Sequence, residues 1–108
     1  MNKKNKRAVN VPLTGKEYDK ICQVSDSRGI GKATFIKLLL SDGITDFRRM
    51  SQSGIFIRFE MPEEMEKSVQ VYVPEELYNE LLRYSKQTNL PMKNIARQII
   101  VPQMAGER

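Results

Sequence analysis

The chain repeats its own pattern at an offset of 60 residues, with no gap between Ala8 and Leu40. Val9, Val11 and Leu13 fall on Val69, Val71 and Val73, and Tyr18 falls on Tyr78. Further on, Ile21 matches Leu81, Val24 matches Tyr84, Ser25 matches Ser85 and Ile30 matches Leu90. Phe35 then matches Ile95, and Leu39 matches Ile99. Identity is confined to a few of these pairs, so the weight rests on the shared apolar pattern, which changes period from 2 to 3.6 at the same place in both copies. Gly29 falls on Asn89, and these are the two residue types best suited to a left-handed helix C-cap. The reading is an internal duplication of strand, helix, turn, helix.

In each copy the strand leads directly into the helix. Val69, Val71 and Val73 alternate with Ser68, Gln70 and Tyr72, giving one apolar and one polar face. In the first copy Val9, Val11 and Leu13 face inward, while Ala8, Asn10 and Pro12 face out. Pro12 has no N–H for a ladder and is expected at a non-hydrogen-bonded position near a ribbon end. Thr14 and Glu17 have the spacing of a capping box, and the first helix runs to about Arg28, ended by Gly29. Pro74, Glu75 and Glu76 open the corresponding helix, which spans about Glu75 to Thr88. A lone strand leaves both edges unpaired, so the two strands are expected to pair antiparallel within one polypeptide, over residues 7–13 and 68–73.

The second helix of the first copy starts at Gly31-Lys32-Ala33-Thr34 and carries Phe35, Ile36, Leu38, Leu39 and Leu40, a density that predicts burial on two sides. Asp42-Gly43 marks its end or a kink, with Ile44 to Met50 adding a further helical turn or two. Ile55 to Phe59 reads either as a short extra strand or as an extended tether. In the second copy Pro91 precedes a last helix over Lys93 to Val101, which Pro102 stops. The organisation expected is a basic flexible arm at 1–6, a first motif at 7–45, a connector at 46–66 and a second motif at 67–104. With 108 residues, each copy is too small to bury much surface alone, so the two are expected to share one core.

Composition narrows the function classes. Residues 1–45 carry nine Lys/Arg against four Asp/Glu, and the basic run begins with Lys3, Lys4, Lys6 and Arg7. A basic arm beside a strand points to a polyanion partner, with a plain solubilising arm as the alternative. Histidine is absent and the single cysteine, Cys22, aligns with Leu82 and reads as a small apolar residue. No acid–base, nucleophilic or metal-ligating constellation can be assembled, so no enzyme activity and no cofactor or metal is expected. One cysteine suits a reducing compartment, and no apolar run has the length of a membrane span or a signal-peptide core, so a cytoplasmic location is expected.

A polar-faced strand, a helix, a Gly/Asn turn and an apolar second helix resemble the ribbon-helix-helix family of DNA-binding proteins, which includes the Arc, MetJ and CopG repressors. The resemblance covers residues 7–42 and 67–101. It implies a mostly α fold with a two-stranded antiparallel ribbon, here as a tandem pseudo-dimer in one chain. Tandem copies also resemble TraY-type accessory proteins of conjugative relaxosomes. The resemblance implies sequence-specific binding of double-stranded DNA with the ribbon in the major groove. By family position the base contacts would be Ala8, Asn10, Pro12, Ser68, Gln70 and Tyr72. Phosphates would be held by the starts of the second helices, at Gly31, Lys32 and Ala33 and at Met92 and Lys93, with Lys3, Lys4, Lys6 and Arg7 adding charge. Partners implied are DNA, a relaxase or other relaxosome protein, and neighbouring copies side by side on DNA. The alternatives are a transcriptional repressor in plasmid or phage regulation, or an antitoxin or adaptor that binds a protein.

Overall fold

Val9, Val11 and Leu13 on one strand, and Val71 and Val73 on the other, are almost wholly removed from water. They lie on one face of a two-stranded antiparallel sheet formed by β1 (Lys6–Leu13) and β2 (Lys67–Pro74). The structure is a computed structural model that describes residues 6–54 and 65–105. Lys3, Lys4 and the segment Ile55 to Phe59 lie outside the described residues, as does the whole of 55–64 within the expected connector. The register pairs Lys6 with Pro74 at one end and Leu13 with Lys67 at the other. At its centre Asn10 sits opposite Gln70, its own equivalent at the 60-residue offset. The pairing expected within a single polypeptide is therefore the pairing observed.

Four helices complete the architecture: α1 (Gly15–Arg28), α2 (Lys32–Gln52), α3 (Glu75–Thr88) and α4 (Met92–Ala105). Thr14 caps α1 through the anticipated box: its Oγ1 accepts from the Glu17 N–H at 3.2 Å, and its own N–H donates to Glu17 Oε1 at 2.9 Å. Gly29 (φ 70°) and Asn89 (φ 61°) end α1 and α3 in the left-handed conformation. The residue after each cap reaches back five positions in the same way, Ile30 N–H to the Ser25 carbonyl at 3.0 Å and Leu90 N–H to that of Ser85 at 3.2 Å.

Two helices run further than the sequence pattern indicates. α2 passes without interruption through Asp42-Gly43 and on through 46–52, the start of the expected connector. Gly43 is a packing residue: a Cβ there would stand 2.6 Å from Ile99 Cγ2 and 2.3 Å from Gln103 Nε2. Its missing side chain lets α2 and α4 approach closely, at a modest cost in helix propensity. α4 likewise continues past Pro102. Gln103 secures it by donating to the carbonyls of Leu39 (2.7 Å) and Ile99 (2.9 Å), and Met104 is buried in the core. The apolar stripe of α2 is broad, but Leu38 stands outside it, 45% exposed, so the expected burial on two sides is not complete.

The packing is crossed. α4 lies against β1 and α2 against β2, and the two helices also pack on one another. Phe35, Ile36, Leu40 and Phe47 from α2 and Ile95, Ile99 and Ile100 from α4 join the strand valines in one cluster. Each strand is thus covered by a helix from the other half of the chain, so neither half has a core of its own.

Two ion pairs join helices from the two halves of the chain, α4 to α1 and α2 to α3. Arg97 on α4, its side chain 7% exposed, forms a fork with Glu17 on α1: Nη1 donates to Oε1, and Nη2 to Oε2 at 2.7 Å. Its Nη1 also meets the Pro12 carbonyl at 3.3 Å. Arg48 on α2 makes a second fork with Glu80 on α3, both bonds 2.7 Å, and the Tyr84 hydroxyl donates to Glu80 at 2.6 Å. Arg48 holds the Glu80 carboxyl below the usual range, with Tyr84 helping and burial opposing. Burial pushes the Glu17 carboxyl up, but Arg97 and Thr14 together outweigh it and leave the net shift downward. Carboxyls depressed on folding stabilise fully above their unfolded values, near 4.3, and lose that contribution as the pH falls through the depressed values. Denaturant midpoints should therefore decline from about pH 4.5 downward, and Glu80→Gln should flatten part of that decline. Parallel declines in the wild type and the variant would show that Glu80 contributes nothing to the acid limb.

Candidate nucleic-acid interface

The outer face of the ribbon is the only part of the sheet left uncovered by helices among the described residues. It carries Ala8 and Asn10 from β1 and Ser68, Gln70 and Tyr72 from β2, all exposed. Ala8 is opposite Tyr72, Asn10 opposite Gln70, and Pro12 opposite Ser68. Five of the six expected base-contacting residues thus share one accessible surface. Pro12 is the correction: it holds the outward register position but is buried, and its carbonyl faces Arg97. Its ring offers nothing to a partner on the ribbon.

Helix starts flank this surface. Gly31, Lys32 and Ala33 are exposed at the start of α2, and the first helical backbone bond there runs from Phe35 N–H to the Gly31 carbonyl. The N–H groups of a helix's first turn have no partner within the helix and favour an anion. At α4, Asn94 N–H already bonds the Pro91 carbonyl at 2.9 Å, and Pro91 has no N–H. Met92 and Lys93 supply the remaining amides, so the two helix starts are unequal as anion sites. A cleft of about 320 Å³ joins Ala8, Val9 and Asn10 on β1 to Tyr78 and to Pro91, Met92 and Lys93. The fold therefore brings expected base-reading and phosphate-holding residues of different segments into one concavity.

The cations at the ribbon ends occupy equivalent places. Arg7 lies over the Tyr78 ring, 5.7 Å from its centroid, and Lys67 lies over the Tyr18 ring at 5.4 Å. Arg7 and Lys67 are equivalent at the 60-residue offset, as are the two tyrosines. Lys32 approaches the same Tyr18 ring at 5.9 Å, so Lys67, Tyr18 and the start of α2 form one basic corner. Arg7 is also 3.5 Å from Glu75, which offsets part of its charge. Lys6 is exposed at the end of β1. Lys67 is absent from the residues expected from sequence to bind phosphate, although its match to Arg7 at the offset carries the signal. No family model, curated protein or solved structure matches this chain. Among the described residues, no helix is long and apolar enough to cross a membrane.

Proposed function

We propose that the chain binds double-stranded DNA in a sequence-specific manner, with the polar face of its ribbon in the major groove. The observation that carries this reading is the exposed Asn10–Gln70 pair at the centre of a ribbon whose other face is core. A paired ribbon is narrow enough for a groove about 12 Å wide, and carboxamides can bond adenine N6 and N7 together. The flanking helix starts and the Lys67–Tyr18–Lys32 corner supply phosphate contacts that position the ribbon without reading sequence. In this reading the chain is a tandem ribbon-helix-helix pseudo-dimer. Central pairing of equivalent residues, crossed helix packing and matched cation–tyrosine contacts support it. The biological role proposed, on the strength of the resemblance, is that of a relaxosome accessory protein, with a promoter-bound repressor as the second reading.

The test is a salt titration of binding to duplex DNA. The logarithm of the association constant should fall linearly with the logarithm of salt, with a slope of about −0.9 per phosphate neutralised. Replacing Lys6, Lys32 and Lys67 by Ala should weaken binding to all sequences alike and make the slope shallower by roughly 0.9 for each phosphate no longer neutralised. An unchanged slope would remove these cations from the interface, and no duplex binding at low salt would overturn the reading. Locating the natural site at an origin of transfer or at a promoter separates the two roles.

A further inference from the structure

We infer that the Ala8–Tyr72 end of the ribbon reads the C5-methyl group of a pyrimidine in the major groove, and so sets which way round the chain lies on its site. The inference rests on the DNA reading above and deepens it. Among the described residues only Leu38 and Tyr72 are large apolar side chains that stand exposed, and Tyr72 is the more exposed at 56%. It lies on the groove-facing side of β2, directly across from the exposed methyl of Ala8. Cross-strand neighbours have Cβ atoms about 4.5–5.5 Å apart, so ring and methyl present one continuous apolar surface. The corresponding pair at the other end is Pro12 opposite Ser68, where the ring is buried and a hydroxyl is presented. One end is therefore apolar and the other polar, although the centre is occupied by two carboxamides.

Among the unmodified bases, thymine alone carries a methyl on its major-groove edge, and an apolar side chain reads it by excluding water from it. Tyr72 stands two residues from Gln70, about 6.6–6.8 Å along the strand. That is roughly two base-pair steps of 3.4 Å. The methyl should therefore lie about two base pairs to one side of the base pair read by Gln70, with no methyl contact at the mirror position beside Ser68.

The probes are short duplexes selected by the full-length chain from a random pool, then resynthesised with deoxyuridine replacing each thymidine singly. The wild type should lose about fourfold in affinity at one such position, the scale of burying one methyl group. Tyr72→Ala should bind the thymidine and deoxyuridine duplexes equally, while Tyr72→Phe should retain the discrimination because the ring is kept. Placing cytosine or 5-methylcytosine at that position tells whether the methyl is read on either pyrimidine or on thymine alone. A selected site with no deoxyuridine-sensitive position, or sensitivity that persists in Tyr72→Ala, would overturn this inference while leaving the DNA reading intact. Failure to retain any duplex at low salt would overturn both.

Discussion

Arg97→Ala is expected to cost about 3–5 kcal/mol of unfolding free energy, the usual range when one partner of a buried ion pair is removed. The guanidinium is nearly closed off from water, holds both oxygens of Glu17 and also bonds the Pro12 carbonyl. Its loss leaves a partly buried carboxylate without its counter-charge and a backbone oxygen short of a donor. It also removes a long aliphatic stem from the α1–α4 seam. Small domains have about 5–15 kcal/mol of stability in total, so the variant should be close to unfolded at 37 °C. Urea denaturation, with the midpoint compared at equal slope, measures the loss. A second variant separates charge from packing. Arg97→Met in a Glu17→Gln background removes both charges, keeps an apolar stem and preserves a residue able to complete the Thr14 capping box. It should recover a substantial part of the loss, because a buried pair replaced whole is often near neutral. Loss below about 0.5 kcal/mol for Arg97→Ala would mean that the fork contributes no more than a surface pair.

This pair also marks where sequence reading stops. Glu17 is legible as a capping-box residue, and that role is correct. That it also receives Arg97, across 80 positions, has no local signature: the interaction exists because α1 and α4 are brought together by the shared core. Arg48 and Glu80 are hidden for the same reason. The strands, their register and the caps were legible because each is written in short-range chemistry, an alternation of valines or a Gly or Asn at a left-handed position. Asn10 opposite Gln70 is the register in which residues equivalent at the 60-residue offset meet at the centre of the ribbon. Gly43 and Pro102 misled because glycine and proline are ambiguous in a helical segment. Here Gly43 serves close contact with Ile99 and Gln103, and past Pro102 Gln103 bonds α4 to the Leu39 carbonyl of α2. Pro12 follows the strand alternation yet is buried at the end of β1, where Arg97 meets its carbonyl.

Of the candidate interface, the central carboxamides and the helix starts are named by the family resemblance, and the fold leaves both exposed. The cleft that joins β1 to α4 was not legible, since it depends on α4 packing against the strand from the other half of the chain. The second large effect comes from the ribbon itself. Asn10 and Gln70 are neighbours across the ribbon, and each is expected to contribute about 1–3 kcal/mol to binding the preferred site, the scale of one bidentate base pairing. Because the two side chains are cross-strand neighbours, the double variant should fall short of the sum of the single ones. The surrounding surface is not symmetric: Ala8 and Tyr72 stand on one side, and Ser68 beside a buried proline on the other. The preferred site should accordingly be non-palindromic, in contrast with the site suited to two identical strands.

Competition binding measures this directly. The wild type, Asn10→Ala and Gln70→Ala are each titrated against a selected duplex and against a scrambled duplex of the same length, at one salt concentration. Each variant should lose about 5- to 150-fold on the selected duplex and almost nothing on the scrambled one, where the phosphates are still held. The two losses should also map to different base pairs in a panel of single-pair changes. Equal losses on selected and scrambled DNA, or no loss on either, would show that the ribbon face does not read sequence.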